Sequence, residues 1–183
     1  VSYRFILLGM KAGFPNMDHQ LVSPNYAFYL HVIFAPLALA LAPFQLSESF
    51  RTKSLRRHRL LGRIYVGAVL LAGLSGIVIG LNAAYGIIAQ SGFIALAIVW
   101  ILVTVKAVRF AMQREIDRHR RYMIRSIALT FAAVTLRVWL PAQLVFGVPF
   151  DVAYQVVAWF CWLPNLIIAE YFVRKLKSAN SSH

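Results

Sequence analysis

The chain has 183 residues, of which 60% are hydrophobic, and its mean hydropathy of +0.67 is too high for an ordinary soluble domain and sufficient for several membrane spans. It carries 19 Lys and Arg against 6 Asp and Glu, so the placement of the charges decides between nucleic-acid binding and membrane topology. A single cysteine, Cys161, excludes a disulfide framework or a cysteine metal cluster within the chain.

Residues 1–26 form an N-terminal segment. VSYRFILLGM reads as the end of a first helix whose beginning is missing, or as a short interfacial helix, and MKAGFPNMDHQLVSPN as an irregular polar connection with two prolines. About 20 helical residues cross roughly 30 Å of hydrocarbon, which places spans at about 27–48, 63–84, 91–110, 123–146 and 151–173. Residues 174–183 are a basic tail. The expected fold is an all-α polytopic transmembrane bundle over 27–173, with five spans, or six if residues 1–10 end another.

The cations sort by loop. Arg51, Lys53, Arg56, Arg57, Arg59 and Arg63 lie between spans one and two, and Lys106, Arg109, Arg114, Arg118, Arg120, Arg121 and Arg125 between spans three and four. With Arg174, Lys175 and Lys177, that puts 16 of the 19 cations on one side, while the connections at about 85–90 and 147–150 hold none. By the positive-inside rule the basic loops and the C-terminus are cytoplasmic and Tyr26 emerges on the outer side. The basic excess is a topology signal, with affinity for anionic lipid as its second consequence, and it points away from nucleic acid.

HRLLGR at 58–63 and HRRYMIR at 119–125 each put a His-Arg pair at the foot of a membrane helix, a weak internal repeat in parallel orientation. Helical phase places Gly62, Tyr65, Val69, Gly73, Gly76 and Gly80 near the azimuth of His58. The stripe below His119 is Met123, Ser126, Thr130, Ala133 and Arg137, and that through His31 is Ala35, Ala38, Ala42 and Gln45. Small residues at such positions serve close helix packing in lipid, or leave room for a flat cofactor between helices.

LHVIFAPLALALAPFQL, then HRLLGRIYVGAVLLAG, then HRRYMIRSIALTFAAVTLR resembles a family of predicted bacterial multi-helix membrane proteins known as domain of unknown function 2306. The resemblance covers about residues 29–140, and family members usually have another helix upstream. It implies a fold and no reaction.

HRLLG is also similar to the His-x-x-x-Gly pattern of transmembrane b-type cytochromes of the ascorbate-reducible and ferric-reductase kind. That similarity implies His58 and His119 as axial ligands of a haem b iron, Gly62 as the porphyrin clearance, and Arg59, Arg63, Arg120 or Arg125 as partners of the propionates. Those cytochromes carry four ligand histidines for two haems, whereas the outer half here offers His31, with His19 in a loop. His58 and His119 also lie close to the headgroups, and a His-Arg pair at a helix foot can equally bind phosphate.

His31 lies about one turn inside the outer boundary, where a neutral hydrogen-bonded histidine is cheap. Pro36 and Pro43 are expected to bend span one. Lys106 and Arg109 can snorkel to the inner surface, and Glu170 is expected to pair with such a cation. Trp139, Trp159, Trp162 and Tyr154 read as outer-half and interfacial aromatics. Arg137 is 12 residues beyond Arg125, about 18 Å along a helix and too deep to snorkel back. It is expected to face the bundle interior, toward Asn165 or carbonyls freed near Pro36 and Pro164. No motif for phosphate binding, zinc hydrolysis or a serine nucleophile is present.

These features imply a protein of the bacterial cytoplasmic membrane with an inward C-terminus. The leading functional expectation is haem b electron transfer near the quinone pool. The alternative is a non-catalytic accessory subunit or lipid-binding scaffold of a larger membrane complex, with anionic headgroups as its partners.

Overall fold

The computed structural model describes residues 26–180, with side chains as far as Leu176. The expectations for residues 1–25, His19 included, lie outside the described residues. The described chain is all helix and turn. Helix α1 is Tyr26–Leu46 and carries Pro36 and Pro43 in its interior. Helix α2, Glu48–Lys53, starts where the Ser47 hydroxyl accepts the Phe50 amide at 3.2 Å. Helix α3, Leu55–Leu81, starts likewise at Ser54, whose hydroxyl accepts the Arg57 amide at 3.4 Å. Helix α4 is Ile87–Met112.

The remaining two spans are broken helices. Helices α5, Ile116–Thr130, and α6, Ala132–Val145, make up the fourth span, and α7, Phe150–Phe160, and α8, Leu163–Asn180, make up the fifth. Among the described residues five helical stretches are thus long and apolar enough to cross a membrane, in the expected order. The differences are at their ends and middles. Helices α3 and α5 begin at Leu55 and Ile116, about two turns before the apolar segments, because hydropathy marks where a helix enters hydrocarbon and not where it starts. Residues 174–180, expected as tail, continue α8.

The two breaks have local causes. Pro164 has no amide hydrogen for the carbonyl four residues earlier, which interrupts the fifth span near Cys161 and Trp162. At Phe131 the backbone tightens, its carbonyl accepting from Val134 at 2.9 Å and from Thr135 at 3.0 Å. Asn165 ties the breaks together: its amide nitrogen reaches the Ala128 carbonyl at 3.3 Å, the Thr135 hydroxyl at 2.9 Å and the Cys161 carbonyl at 3.1 Å. Irregular backbone at membrane depth is thereby enclosed and bonded by protein.

Helix α1 packs along α3, α3 on α4, α4 on α5 and α7, and α5 on α8. The core lies between α1, α3, α4 and α5, with Tyr65, Val69, Leu129, Thr104 and Ser126 among its most enclosed side chains. A polar network crosses it. The Tyr65 hydroxyl meets Ser126 Oγ and Thr130 Oγ1, each at 2.8 Å, the Trp100 indole donates to Thr130 Oγ1 at 3.1 Å, and Thr104 Oγ1 meets Ser126 Oγ at 2.7 Å. These bonds join three spans where hydrophobicity gives helices no reason to associate.

Candidate functional site

The basic end of the bundle gathers the residues that the sequence singles out. His58 and His119 are each the fourth residue of a helix, α3 and α5, and stand close enough to interact electrostatically, with Arg51 and Arg59 also in reach of His58. Their hydrogen bonding differs. His119 Nδ1 donates to the Ala107 carbonyl of α4 at 2.9 Å, much as His31 Nδ1 donates to the Ala72 carbonyl of α3 at 2.8 Å. His58 Nδ1 is enclosed without a hydrogen-bond partner. The Phe44 carbonyl lies beside the ring, outside hydrogen-bond geometry for that atom.

Gly62 lies one turn beyond His58, and the space above it is taken. A Cβ built there would stand 3.1 Å from the Gln45 side-chain oxygen. Gln45 Nε2 is the second enclosed side-chain atom without a partner. The rest of the small-residue face of α3 is filled as well: Gly73 by Ile101, Gly80 by Ile94, and Gly76 by the His31 ring at 3.3 Å. The small residues therefore serve close packing. Two histidines in mutual reach would suit a bis-histidine iron, and the carbonyl bond of His119 leaves its Nε2 available, but the porphyrin clearance expected at Gly62 is occupied by Gln45. As packed, these residues do not fit a haem. No group of three or more metal-ligating side chains occurs among the described residues.

The arginines divide between paired and free. Arg125 makes a forked ion pair with Glu170 of α8, through Nε to one carboxylate oxygen and through Nη2 to the other at 2.9 Å, with its guanidinium 4.9 Å from the Tyr122 ring centre. It is thus committed within the bundle rather than offered to a propionate. Glu170 finds the cation partner expected for it in Arg125, on the helix against which α8 packs. Arg59, Arg63 and Arg120 are exposed. At the α4–α5 turn, Arg114, Glu115, Ile116, Asp117, Arg118 and Arg121 line an open cleft of about 450 Å³, with Arg118 bound to Glu115 at 3.0 Å.

Arg137 departs from expectation. It is exposed, and its Nη1 donates to the Ala133 carbonyl of its own helix at 2.8 Å, while Asn165 is engaged with Thr135. Helix α6 is separated from α5 at Phe131, and the buried polar face of Ser126 and Thr130 does not continue to Arg137. Arg137 still stands within electrostatic reach of His31. The sequence places Gln45 on the His31 stripe but does not show that its amide nitrogen lacks a partner, since that appears only once α1 and α3 are laid together. Tyr65, Trp100 and Thr104 were missed as polar partners for the same reason. The signal was the spacing of Ser126 and Thr130, four apart on one face.

A family model described as "Predicted membrane protein (DUF2306)" matches residues 28–173, and the chain belongs to that family. Neither a curated protein nor a solved structure matches it.

Proposed function

We propose that this member of the family is a non-catalytic membrane scaffold that holds anionic lipid headgroups at its basic end. It would lie in the bacterial cytoplasmic membrane with that end and the C-terminus inward. The observation that carries this reading is the imbalance of charge there: Arg56, Arg57, Arg59, Arg63, Arg114, Arg120 and Arg174 are exposed, and among the described residues the ion pairs at that end occupy only Arg51, Arg118 and Arg125. Each Lys or Arg near an anionic surface contributes about 1 kcal/mol of attraction. Two features favour a scaffold over an enzyme. The core polar groups are spent on one another, and the small-residue faces are packed shut.

The full chain purified in detergent should melt several degrees higher with phosphatidylglycerol than with phosphatidylcholine, and salt should erase most of the difference. Equal melting in both lipids would overturn the reading. Orientation is tested by cysteine labelling with an impermeant reagent in intact cells. Ile87→Cys should react, since Ile87 is 74% exposed, and Lys53→Cys should react only after permeabilisation. The buried Cys161 is a silent background. Gly86 and Gly147, at φ +84° and +79°, are poorer sites because any side chain there is strained. The opposite labelling pattern would reverse the topology.

A further inference from the structure

We propose that Gln45 and His58 form a seat for one oxyanion, a phosphate group, at the junction of α1 and α3. The proposal rests on the lipid-binding reading and assigns it a place. Buried polar atoms in folded proteins nearly always have partners, and each exception asks for an explanation. Here two exceptions coincide, Gln45 Nε2 and His58 Nδ1. They are neighbours: the Gln45 amide lies over Gly62, and the carbonyl of the preceding residue, Phe44, lies beside the His58 ring. His31 and His119 each donate to a carbonyl on a neighbouring helix, whereas His58 Nδ1 does not.

The chemistry of the absent partner follows from what is offered. An amide nitrogen only donates hydrogen, and an imidazole Nδ1 that carries a hydrogen donates as well. The surroundings are cationic, with Arg51, His119 and Arg59 in reach of His58, and the carboxylate of Glu48 is already bound to Arg51 at 3.1 Å. Such a set lacks an acceptor that carries negative charge and brings no hydrogens of its own. A phosphate oxygen meets that description; a metal cation or an ammonium headgroup does not. The junction is the foot of a membrane helix, the level at which lipid phosphates lie. Gln45 and His58 are only partly buried, so the two atoms sit one side chain below the surface. A shift of the Gln45 amide at Gly62 would open room there for one oxyanion oxygen, far less than a porphyrin needs.

The test compares the wild-type chain, Gln45→Met, His58→Leu and the double variant in detergent. Each is melted alone, with inorganic phosphate, with phosphatidylcholine, and with equal parts of phosphatidylcholine and phosphatidylglycerol. Removing an orphaned donor removes its desolvation penalty, so the variants alone should melt no lower than wild type, while the shift given by the anionic ligand falls to less than half. A wild-type shift with inorganic phosphate assigns the free anion; a shift confined to phosphatidylglycerol assigns the lipid. If the double variant keeps the full wild-type shift, the seat is refuted and lipid binding elsewhere on the basic end stands. If wild type shows no shift with either anion, both fail. Gln45→Glu supplies an independent check should an apolar variant not fold: it keeps the shape, places a carboxylate where the oxyanion would sit, and should abolish the shift while the unliganded protein stays folded. A full shift in Gln45→Glu would also overturn the seat.

Discussion

Gly92→Ala is expected to lower the stability of the folded bundle by about 2–3 kcal/mol, the range for forcing extra atoms into a packed contact that cannot yield. A Cβ at Gly92 would stand 2.9 Å from the Ala158 carbonyl oxygen and 3.0 Å from its carbon. Those are backbone atoms of α7, so relief requires α7 to move away from α4. The same interface holds the Trp159 indole on the Ile88 carbonyl at 3.1 Å and the Gln155 amide on the Tyr85 carbonyl at 3.0 Å, and withdrawal of α7 strains both. Gly67→Ala is the matched control. Nothing lies within 4 Å of its Cβ position, and alanine is the better helix former by about 1 kcal/mol, so its stability should hold or rise. Unfolding in mixed detergent, followed by tryptophan fluorescence, reads the difference. Equal stability of the two variants would mean that α4 and α7 are not seated as described.

The contrast between these two glycines shows what hydropathy and helical phase can carry. Both occur in apolar runs and both read as small residues in spans, but Gly92 is pressed against a helix more than sixty residues later in the chain. Span number, order and the clustering of basic loops are properties of neighbouring residues, and they are legible because each helix must cross the hydrocarbon by itself. His58 and His119 were legible for the same reason, each at a helix foot beside arginines. What Gly62 faces was not, since it depends on how α1 lies against α3. There the resemblance to b-type cytochromes led to an open clearance, and the structure fills it with Gln45. Arg137 failed by a different route. On an unbroken helix its azimuth follows that of Ser126 and Thr130, but the span is interrupted at Phe131, with no proline nearby to announce it, and Arg137 is exposed.

Glu170→Leu is expected to destabilise the protein more than Arg125→Leu, and the pair Arg125→Leu with Glu170→Leu to recover part of the loss. Breaking a buried ion pair typically costs about 3–5 kcal/mol because one charge is left without compensation. Here the side chains are 19% and 38% exposed, so solvent and headgroups screen the orphan and about 1–2 kcal/mol is the expected cost. The asymmetry comes from the neighbours. With Arg125 removed, Glu170 still has Arg174 in electrostatic reach. With Glu170 removed, the Arg125 guanidinium keeps only the Tyr122 ring, a weaker partner than a forked carboxylate. Two leucines in place of the pair leave no charge to solvate and restore an apolar contact between α5 and α8. A double-mutant cycle of unfolding free energies measures the coupling, expected at about 1 kcal/mol or more. Additive effects would show that the forked pair joins α5 to α8 in geometry without holding them together. Because α8, among the described residues, touches the rest of the bundle mainly through α5, a strong coupling would instead make this ion pair the chief polar fastening between the fifth span and the basic end of the bundle.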